Sequence, residues 1–285
     1  MAGLSAALVL GRAQRRVIVF DAGEPRNGVA PEAHNYLTQD GTSPLELLRI
    51  GRRELSAYPS VQIVDRRADV ISEGFLVGPY DEAFSARKIL LATGLLDGLP
   101  PIEGFRQRWG VSVLHCPFCH GWEVRDKALA IVGNGQSVYD LCVMAKNWSS
   151  RVTLCTNGLA ELSEDQLFSL EKNGIAIYED DIVRVEGGGT SVERLIFADG
   201  ASLECDAVFF RPRRVPYVGL AKATGCATTD AGYVEVDANG LTSVAGVYAA
   251  GDMIEPSMQV LPFAAYSGAR AAIAIAKSLF EEDFA

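Results

Sequence analysis

The stretch KALAIVGNGQSVYDLCVMAKNWSSRVTLCTNG, residues 127–158, decides the fold of this 285-residue chain. It contains an apolar run typical of a buried strand, a turn with two glycines, a segment of helical length and a second apolar run. This order of strand, helix and strand is typical of a dinucleotide-binding unit, in which the turn after the first strand faces a phosphate. Gly133 and Gly135 stand in that turn and are therefore candidate contacts for a nucleotide.

The N-terminus predicts part of a second unit of the same kind. Residues 4–14 are typical of a helix, and residues 15–23 are typical of a buried strand that ends in an acid and a turn. The acid at the end of that strand normally bonds the adenosine ribose, and Asp21 occupies this place. Gly3 is then the third glycine of G-x-G-x-x-G. The first strand and the first two glycines would lie upstream of Met1, so we expect a longer parent chain and, for this sequence, poor dinucleotide binding.

Three further segments complete the predicted domain organisation. FSARKILLATG at residues 84–94 and TSVAGVYAAGD at residues 242–252 predict strands that each end in a turn, and residues 268–280 predict an amphipathic helix. We assign all three to the first unit, so the second unit is an insertion. The predicted fold class is α/β, with two three-layer, Rossmann-like domains. Their predicted bounds are 1–112 with 240–285 for the first domain, and 113–239 for the second.

Composition restricts the function classes. The 26 basic and 36 acidic residues give a formal charge of -10, which disfavours binding to nucleic acid or to a membrane surface. The apolar first ten residues are followed, not preceded, by arginines, so they do not predict a signal peptide. No apolar run reaches the roughly 18 residues that a membrane span needs. We expect a soluble, cytoplasmic protein that acts on a small molecule or on another protein.

The segment HCPFCHGWE, residues 115–123, predicts redox chemistry. A Cys-x-x-Cys spacing lets the sulfurs of Cys116 and Cys119 close a small ring and exchange two electrons. The alternatives are half of a zinc site or two buried structural cysteines. Zinc is disfavoured because the chain offers no second C-x-x-C and no H-x-x-x-H to complete four ligands, and we predict no metal site.

Taken in order, these motifs resemble those of the low-molecular-weight thioredoxin reductases over nearly the whole chain. The resemblance implies that the first domain binds FAD and that the second is pyridine-nucleotide-like and contains the redox pair. It also implies a homodimer, and a domain rotation that presents the pair alternately to the flavin and to the substrate. The motifs are the Gly3 helix, Asp21, LLATG at 90–94, C-P-F-C-H-G, G-N-G-Q-S, AAGD at 249–252 and Gln259-Val260.

The same resemblance implies a set of cofactor contacts. Each residue of the set has an alternative interpretation as ordinary turn or strand-end chemistry, because Gly and Asp are common turn residues. The implied FAD contacts are Gly3 and Asp21 at the adenosine half, Thr93 and Gly94 beside it, Gly251 and Asp252 at the ribityl-phosphate region, and Gln259 and Val260 near the isoalloxazine ring.

His120 departs from the thioredoxin reductases proper, which have an acid directly after the second cysteine. A histidine there resembles the dithiol oxidases that close the disulfides of gliotoxin and holomycin and pass electrons from FAD to oxygen. Histidine has an unperturbed pKa of about 6.5 and can accept a thiol proton at neutral pH, so we predict His120 to be a general base. The alternative is a ring that only donates to a backbone carbonyl. For His115 we expect a structural role.

The second nucleotide loop disfavours NADPH. Residues 155–162, CTNGLAEL, contain no basic side chain for the 2′-phosphate, and Val138 stands where a small residue would permit close packing. This favours the oxidase-like direction, so we predict oxidation of a small dithiol or a thioredoxin-like protein with oxygen as acceptor. The family resemblance implies that Cys116 faces the substrate and Cys119 the flavin. One alternative is an NADPH-dependent thioredoxin-disulfide reductase. The other is a non-catalytic fragment or remnant that does not hold FAD.

Overall fold

The strand, helix and strand predicted over residues 127–158 all form in the computed structural model, which describes residues 1–72 and 75–285. The helices are α1 (Ala2–Arg12), α2 (Pro44–Leu55), α3 (Phe105–Arg108), α4 (Pro117–His120), α5 (Gln136–Ala145), α6 (Glu164–Lys172), α7 (Gly219–Ala223) and α8 (Leu261–Phe284), with a 3₁₀ turn at Gly251–Met253. The strands of the first half are β1 (Val17–Phe20), β2 (Val61–Val64), β3 (Val70–Ser72), β4 (Leu76–Gly78), β5 (Phe84–Ser85), β6 (Ile89–Leu91), β7 (Leu95–Gly98) and β8 (Val113–Leu114). Those of the second half are β9 (Leu129–Val132), β10 (Val152–Cys155), β11 (Ala176–Tyr178), β12 (Ile182–Glu186), β13 (Arg194–Phe197), β14 (Ser202–Glu204), β15 (Ala207–Phe210), β16 (Arg213–Pro216) and β17 (Val247–Ala249).

The chain divides into two units. Unit 1 consists of Met1–Gly28, Asn35–Leu96 and Arg214–Ala285. Unit 2 consists of Asp97–Arg213 and the short segment Val29–His34. Both units combine helices with parallel strand pairs, which confirms the predicted α/β fold class.

Unit 2 is built on a five-stranded parallel sheet in the order β11-β10-β9-β15-β8. All four residues of β9 are buried, as its uninterrupted apolar sequence requires. Leu129 and Ile131 belong to one apolar cluster and Ala130 and Val132 to another, because successive side chains of a strand point to opposite faces. Helix α5 packs on the first cluster, and the antiparallel sheet β12-β13-β14 on the second.

Unit 1 contains the parallel pairs β1-β2 and β6-β17 and the antiparallel sheet β3-β4-β5. Helix α1 packs along α8, and the two backbones approach closely at Gly268. A Cβ atom at Gly268 would overlap the backbone carbonyl oxygen of Ala2, so only glycine permits this contact. The contact places the first turn of α1 beside Gly251, where an added Cβ atom would lie 3.1 Å from the Cβ of Ala2.

Replacing Gly268 by alanine is expected to destabilise unit 1. The added methyl group must push α1 away from α8, and overpacking of this kind costs about 1–3 kcal/mol. Gly51→Ala is the matched control, because a Cβ there would lie 3.4 Å from a terminal methyl of Leu4, which is ordinary contact. In a helix that change is expected to add about 0.5–1 kcal/mol of stability. Urea unfolding followed by circular dichroism measures both, and equal midpoints for the two variants would contradict the account of the contact.

The division between the units lies at different positions from those predicted. The sequence predicted boundaries at 112/113 and 239/240, whereas the structure divides at Leu96/Asp97 and Arg213/Arg214. Phe105 is fully buried in the apolar core of unit 2, and Ala221 and Val234 are buried in a core of unit 1. Packing therefore moves both boundaries toward the N-terminus. The transfer of residues 29–34 to unit 2 was not predicted, and the cofactor assigned to each domain remains a prediction.

Two predicted elements differ in length from the observed ones. The single strand expected over residues 84–94 is divided into β5 and β6, which belong to different sheets. The helix expected over residues 268–280 is the central part of the longer α8. Within residues 1–72 and 75–285, no helix has both the length and the apolar character needed to cross a membrane.

Candidate active site

Cys116 and Cys119 are joined by a disulfide in unit 2, with their Cα atoms 5.2 Å apart. Cys116 is the N-cap of α4, and Pro117 occupies the first turn, where its fixed φ and missing N–H are tolerated. The sulfur of Cys116 accepts a hydrogen bond from the backbone N–H of Cys119 at 3.2 Å. After reduction, that donor would stabilise negative charge on the same sulfur. The local sequence thus folds into a redox pair with a donor already in place.

His120, the last residue of α4, has an unusual environment. Both ring nitrogens are buried and have no hydrogen-bond partner among the residues that the structure describes. Burial lowers the pKa of His120 below its ordinary value of 6.5, while the negative charge of Glu123 acts to raise this pKa and His34 acts to lower it. The ring is therefore neutral at neutral pH and able to accept a proton. The alternative in which it donates to a backbone carbonyl finds no support in these contacts.

Two residues that the sequence analysis did not select lie beside His120. The ring of His34 stands edge-on to that of His120, with 6.3 Å between the ring centroids. The Nε2 atom of His34 lies 3.5 Å from a carboxylate oxygen of Glu123 and 3.6 Å from one of Glu32. Glu123 was visible in the stretch around the cysteines, and His34 is one of only three histidines in the chain. No local sequence pattern connects His34 to the cysteines. Segment 29–34 comes close to α4 only through tertiary folding.

The glycine turn of unit 2 is formed, but side chains of the same unit already occupy the space and the backbone donor that a nucleotide would use. Gly133 and Gly135 have φ values of 134° and 73°, so both need glycine. A Cβ at Gly133 would lie 2.8 Å from a methyl group of Val138, which is buried against the turn as the sequence suggested. The N–H of Gly135 donates to the side-chain oxygen of Asn134 at 3.0 Å. A backbone donor suited to a phosphate is therefore already engaged.

Asn134 also ties the turn to the loop that would hold a 2′-phosphate. Its side-chain oxygen accepts from the N–H of Glu161 at 2.7 Å, and its side-chain nitrogen donates to the carbonyl of Leu159 at 2.7 Å. The carboxylate of Glu179, which directly follows β11, accepts from the N–H of Ala160 in this loop at 2.8 Å. The loop therefore has no basic side chain and lies against an acid, which opposes a phosphate electrostatically.

In unit 1, the start of α1 suits a phosphate. The helix begins at Ala2 without a side-chain cap and without an acid in its first turn, so no side chain of the described residues caps its first N–H groups, the groups that bind an anion at a helix N-terminus. Gly3 lies in this turn, and a Cβ there would make only ordinary contact, at 3.6 Å, with Ala92. Asp21 follows β1 directly; its carboxylate accepts from the N–H of Gly23 at 3.0 Å and pairs with Arg52 at 3.0 Å. That arrangement holds the carboxylate in a fixed orientation.

The other predicted cofactor residues of unit 1 form two groups. Arg26, which the sequence analysis missed, lies 3.0 Å from a carboxylate oxygen of Asp252 and 3.0 Å from the side-chain oxygen of Gln259, and so joins these two residues. Val260 caps the start of α8. At the end of β6, Thr93 donates to the carbonyl of Tyr217 at 2.7 Å.

The backbone of unit 1 fits the FAD that the sequence resemblance implies. Gly251 and Gly94 have φ values of 80° and 67°, which favour glycine, and the N–H of Gly251 donates to the hydroxyl of Ser267 at 3.0 Å. An uncapped helix N-terminus suits a pyrophosphate, and the oriented carboxylate of Asp21 suits the hydroxyls of a ribose. We therefore expect these residues to hold the cofactor, with Arg26 ordering Asp252.

Comparison with known proteins agrees with this architecture. The family model described as pyridine nucleotide-disulphide oxidoreductase matches residues 1–268. The thioredoxin reductase sirT of Leptosphaeria maculans is 30% identical over 288 residues, covering 91% of this chain and 86% of that protein. The probable thioredoxin reductase of Arthroderma benhamiae is 29% identical, covering 98% of this chain and 78% of that protein.

Solved structures give the same result. The crystal structure of HlmI is 37% identical with a TM-score of 0.93, covering 99% of this chain and 91% of that one. The putative thioredoxin reductase TrxB from Bacillus anthracis is 31% identical with a TM-score of 0.92, covering 99% of this chain and 96% of that one. This chain therefore belongs to the pyridine nucleotide-disulphide oxidoreductase family, as a thioredoxin reductase-like enzyme with FAD as its cofactor.

Proposed function

We propose that this enzyme oxidises a dithiol substrate to a disulfide through Cys116 and Cys119, with oxygen as the final electron acceptor. The observation that carries the proposal is the imidazole of His120. It follows the second cysteine directly, and its two ring nitrogens are buried without a hydrogen-bond partner among the described residues. A neutral ring in this position is suited to take a proton from a thiol, which is the step that dithiol oxidation needs first.

The reaction proceeds by two thiol–disulfide exchanges. One substrate thiol gives its proton to His120, and the resulting thiolate attacks the sulfur of Cys116, so that the Cys116–Cys119 bond breaks and Cys119 leaves as a thiolate. The second substrate thiol gives its proton to the Cys119 thiolate and attacks the substrate sulfur that is bound to Cys116, which closes the substrate disulfide and releases Cys116 as a thiolate. The substrate loses two electrons and two protons; the cysteine pair gains both electrons and one proton, and His120 holds the other proton. Bound FAD would take these electrons from the reduced pair and transfer them to oxygen.

The assignment of Cys116 to the substrate follows the family resemblance. The hydrogen bond from the N–H of Cys119 supports it, because this donor stabilises the sulfur that leaves in the second exchange. Phe118, between the two cysteines, and Trp122, shortly after them, are both exposed. These aromatic side chains favour a substrate with apolar surface, either a small dithiol or a thioredoxin-like protein. On the family resemblance we also propose a cytoplasmic homodimer.

The alternative is an NADPH-dependent thioredoxin-disulfide reductase. It is favoured by the names of the fungal relatives, which are called thioredoxin reductases. It is disfavoured by the turn of unit 2, where the side-chain oxygen of Asn134 already accepts from the N–H of Gly135. It is also disfavoured by the neighbouring loop, residues 155–162, which has no basic side chain and lies against the carboxylate of Glu179. We therefore propose that the pyridine nucleotide is not the physiological electron donor.

Anaerobic stopped-flow absorbance of the flavin distinguishes the two functions. We expect dithiothreitol, used as a simple dithiol, to bleach the flavin, and NADPH to leave it oxidised over the same seconds. Admitting oxygen after the dithiol should restore the flavin absorbance. Rapid bleaching by NADPH would instead establish the reductase. A purified protein that is colourless and does not take up added FAD would support the non-catalytic alternative.

A further inference from the structure

The neighbourhood of His120 contains two titratable side chains that the reaction above does not use, His34 and Glu123. Segment 29–34 leaves unit 1 and packs in unit 2, where it places His34 edge-on to His120. Glu123 lies one turn after α4, and one of its carboxylate oxygens is 3.5 Å from the Nε2 atom of His34. A separation of 3.5 Å is that of an ion pair and is too long for a good hydrogen bond. Two imidazoles and one carboxylate thus share a largely buried site next to the disulfide.

We propose that His34 and Glu123 are positioning residues of the dithiol reaction, which act on His120 in opposite electrostatic directions and thereby set how readily its ring accepts the thiol proton. The inference rests on the proposed function for the step it tunes, but the charge arrangement stands on the geometry alone. The carboxylate of Glu123 stabilises the imidazolium that forms when His120 takes the proton. His34 opposes this charge and pairs with Glu123, so it limits the effect of the carboxylate.

Other groups around His120 do not act on it in the same way. The pKa of His120 is lowered first by burial, raised by the negative charge of Glu123 and lowered by His34. Glu32 contacts His34 from the exposed side, at 3.6 Å. Helix α5 packs against α4 and contributes three titratable side chains, none of which is a cause of the shift. They are Tyr139, Asp140 and Cys142.

Glu123 and His34 shift the pKa of His120 in opposite directions, so variants of the two residues can be distinguished from each other and from a loss of packing. Removing the negative charge in Glu123→Gln should lower the pKa of His120 further, because the attraction that favours the imidazolium is lost. Removing the second imidazole in His34→Gln should raise the pKa of His120, because the opposing charge is lost. A loss of packing or a partial unfolding would move both variants in the same direction, toward the value of an exposed histidine.

The experiment is a pH titration of the holoenzyme with ¹³C-labelled histidine, followed by NMR. The chain has only three histidines, so the three ring signals can be assigned from His34→Gln, His115→Gln and His120→Gln. We expect the His120 signal to titrate at lower pH in Glu123→Gln and at higher pH in His34→Gln than in the parent protein. Glu32→Gln is the matched control, and it should leave the His120 titration unchanged. Shifts of the same sign, no shift, or an equal shift in the control would overturn the proposal.

A kinetic arm separates this inference from the proposed function. In anaerobic reduction of the flavin by dithiothreitol, the acid limb of the rate profile should move to lower pH in Glu123→Gln and to higher pH in His34→Gln. If the NMR titrations shift as expected but the rate profiles do not follow them, His120 is not the base, and it is the proposed function that fails. If the titrations themselves do not shift, the charge arrangement is wrong whatever the rates show.

Discussion

Changing either Cys116 or Cys119 to serine is expected to lower turnover of a dithiol by about 10³-fold or more, because a serine hydroxyl cannot form the mixed disulfide. Each variant loses the whole exchange sequence, so the double change should be no worse than either single change. The measurement is oxygen consumption with dithiothreitol as substrate. The flavin absorbance of each variant reports whether FAD is retained, which separates lost chemistry from lost cofactor.

Cys226→Ser is the matched control for these two variants. Cys226 is buried in a core cluster of unit 1, where its sulfur lies 3.4 Å from the hydroxyl of Thr242 and 3.2 Å from that of Thr224. A serine hydroxyl can make the same contacts, so folding and turnover should both be retained. Substantial turnover in the double serine variant at Cys116 and Cys119 would exclude the proposed exchange, since the enzyme would then transfer electrons without its disulfide.

His120→Asn is expected to slow flavin reduction by a dithiol by about 10²-fold to 10⁴-fold at neutral pH, the usual contribution of a positioned general base. The direction in which the rate changes with pH follows from the pKa of His120. Burial lowers the pKa of His120 below 6.5, so the basic form is present at neutral pH and is lost only as the pH falls through this lowered value. The parent enzyme should therefore lose rate on an acid limb that lies below pH 6.5, and His120→Asn should lack that limb.

The control for this variant is His115→Asn. His115 precedes the first cysteine, and its ring lies 5.7 Å from that of Trp109, a contact that points to packing. We expect a change in rate of no more than a few-fold and the same acid limb as in the parent enzyme. Single-turnover stopped flow between acid and neutral pH measures all three proteins. An acid limb that persists in His120→Asn would assign the base to another group.

Much of the architecture could be predicted because local pattern determines it. The apolar run of β9 and the two glycines after it required a strand and a tight turn, and both form where expected. The spacing of Cys116 and Cys119 permitted a bond, and the structure contains it. In each case, the residues that set the conformation are neighbours in the sequence, so the pattern contained the information.

The parts that could not be predicted depend on contacts between distant segments. The boundary at Leu96 follows from the burial of Phe105 in the core of unit 2, which no turn signal marks. Arg26 joins Asp252 and Gln259 only after the chain has folded. The same holds for His34 and Glu123, whose proximity arises from tertiary packing and not from any spacing along the chain.

The passage of residues 29–34 into unit 2 also has a consequence for modular engineering of this enzyme. A graft that exchanges residues 97–213 for the matching piece of a relative would import a new disulfide but leave behind the host's His34. His34 would then come from the host protein, whereas the counterpart of His120 would come from the relative. A functional chimera would need this six-residue segment transplanted together with the rest, as a second, separate crossover.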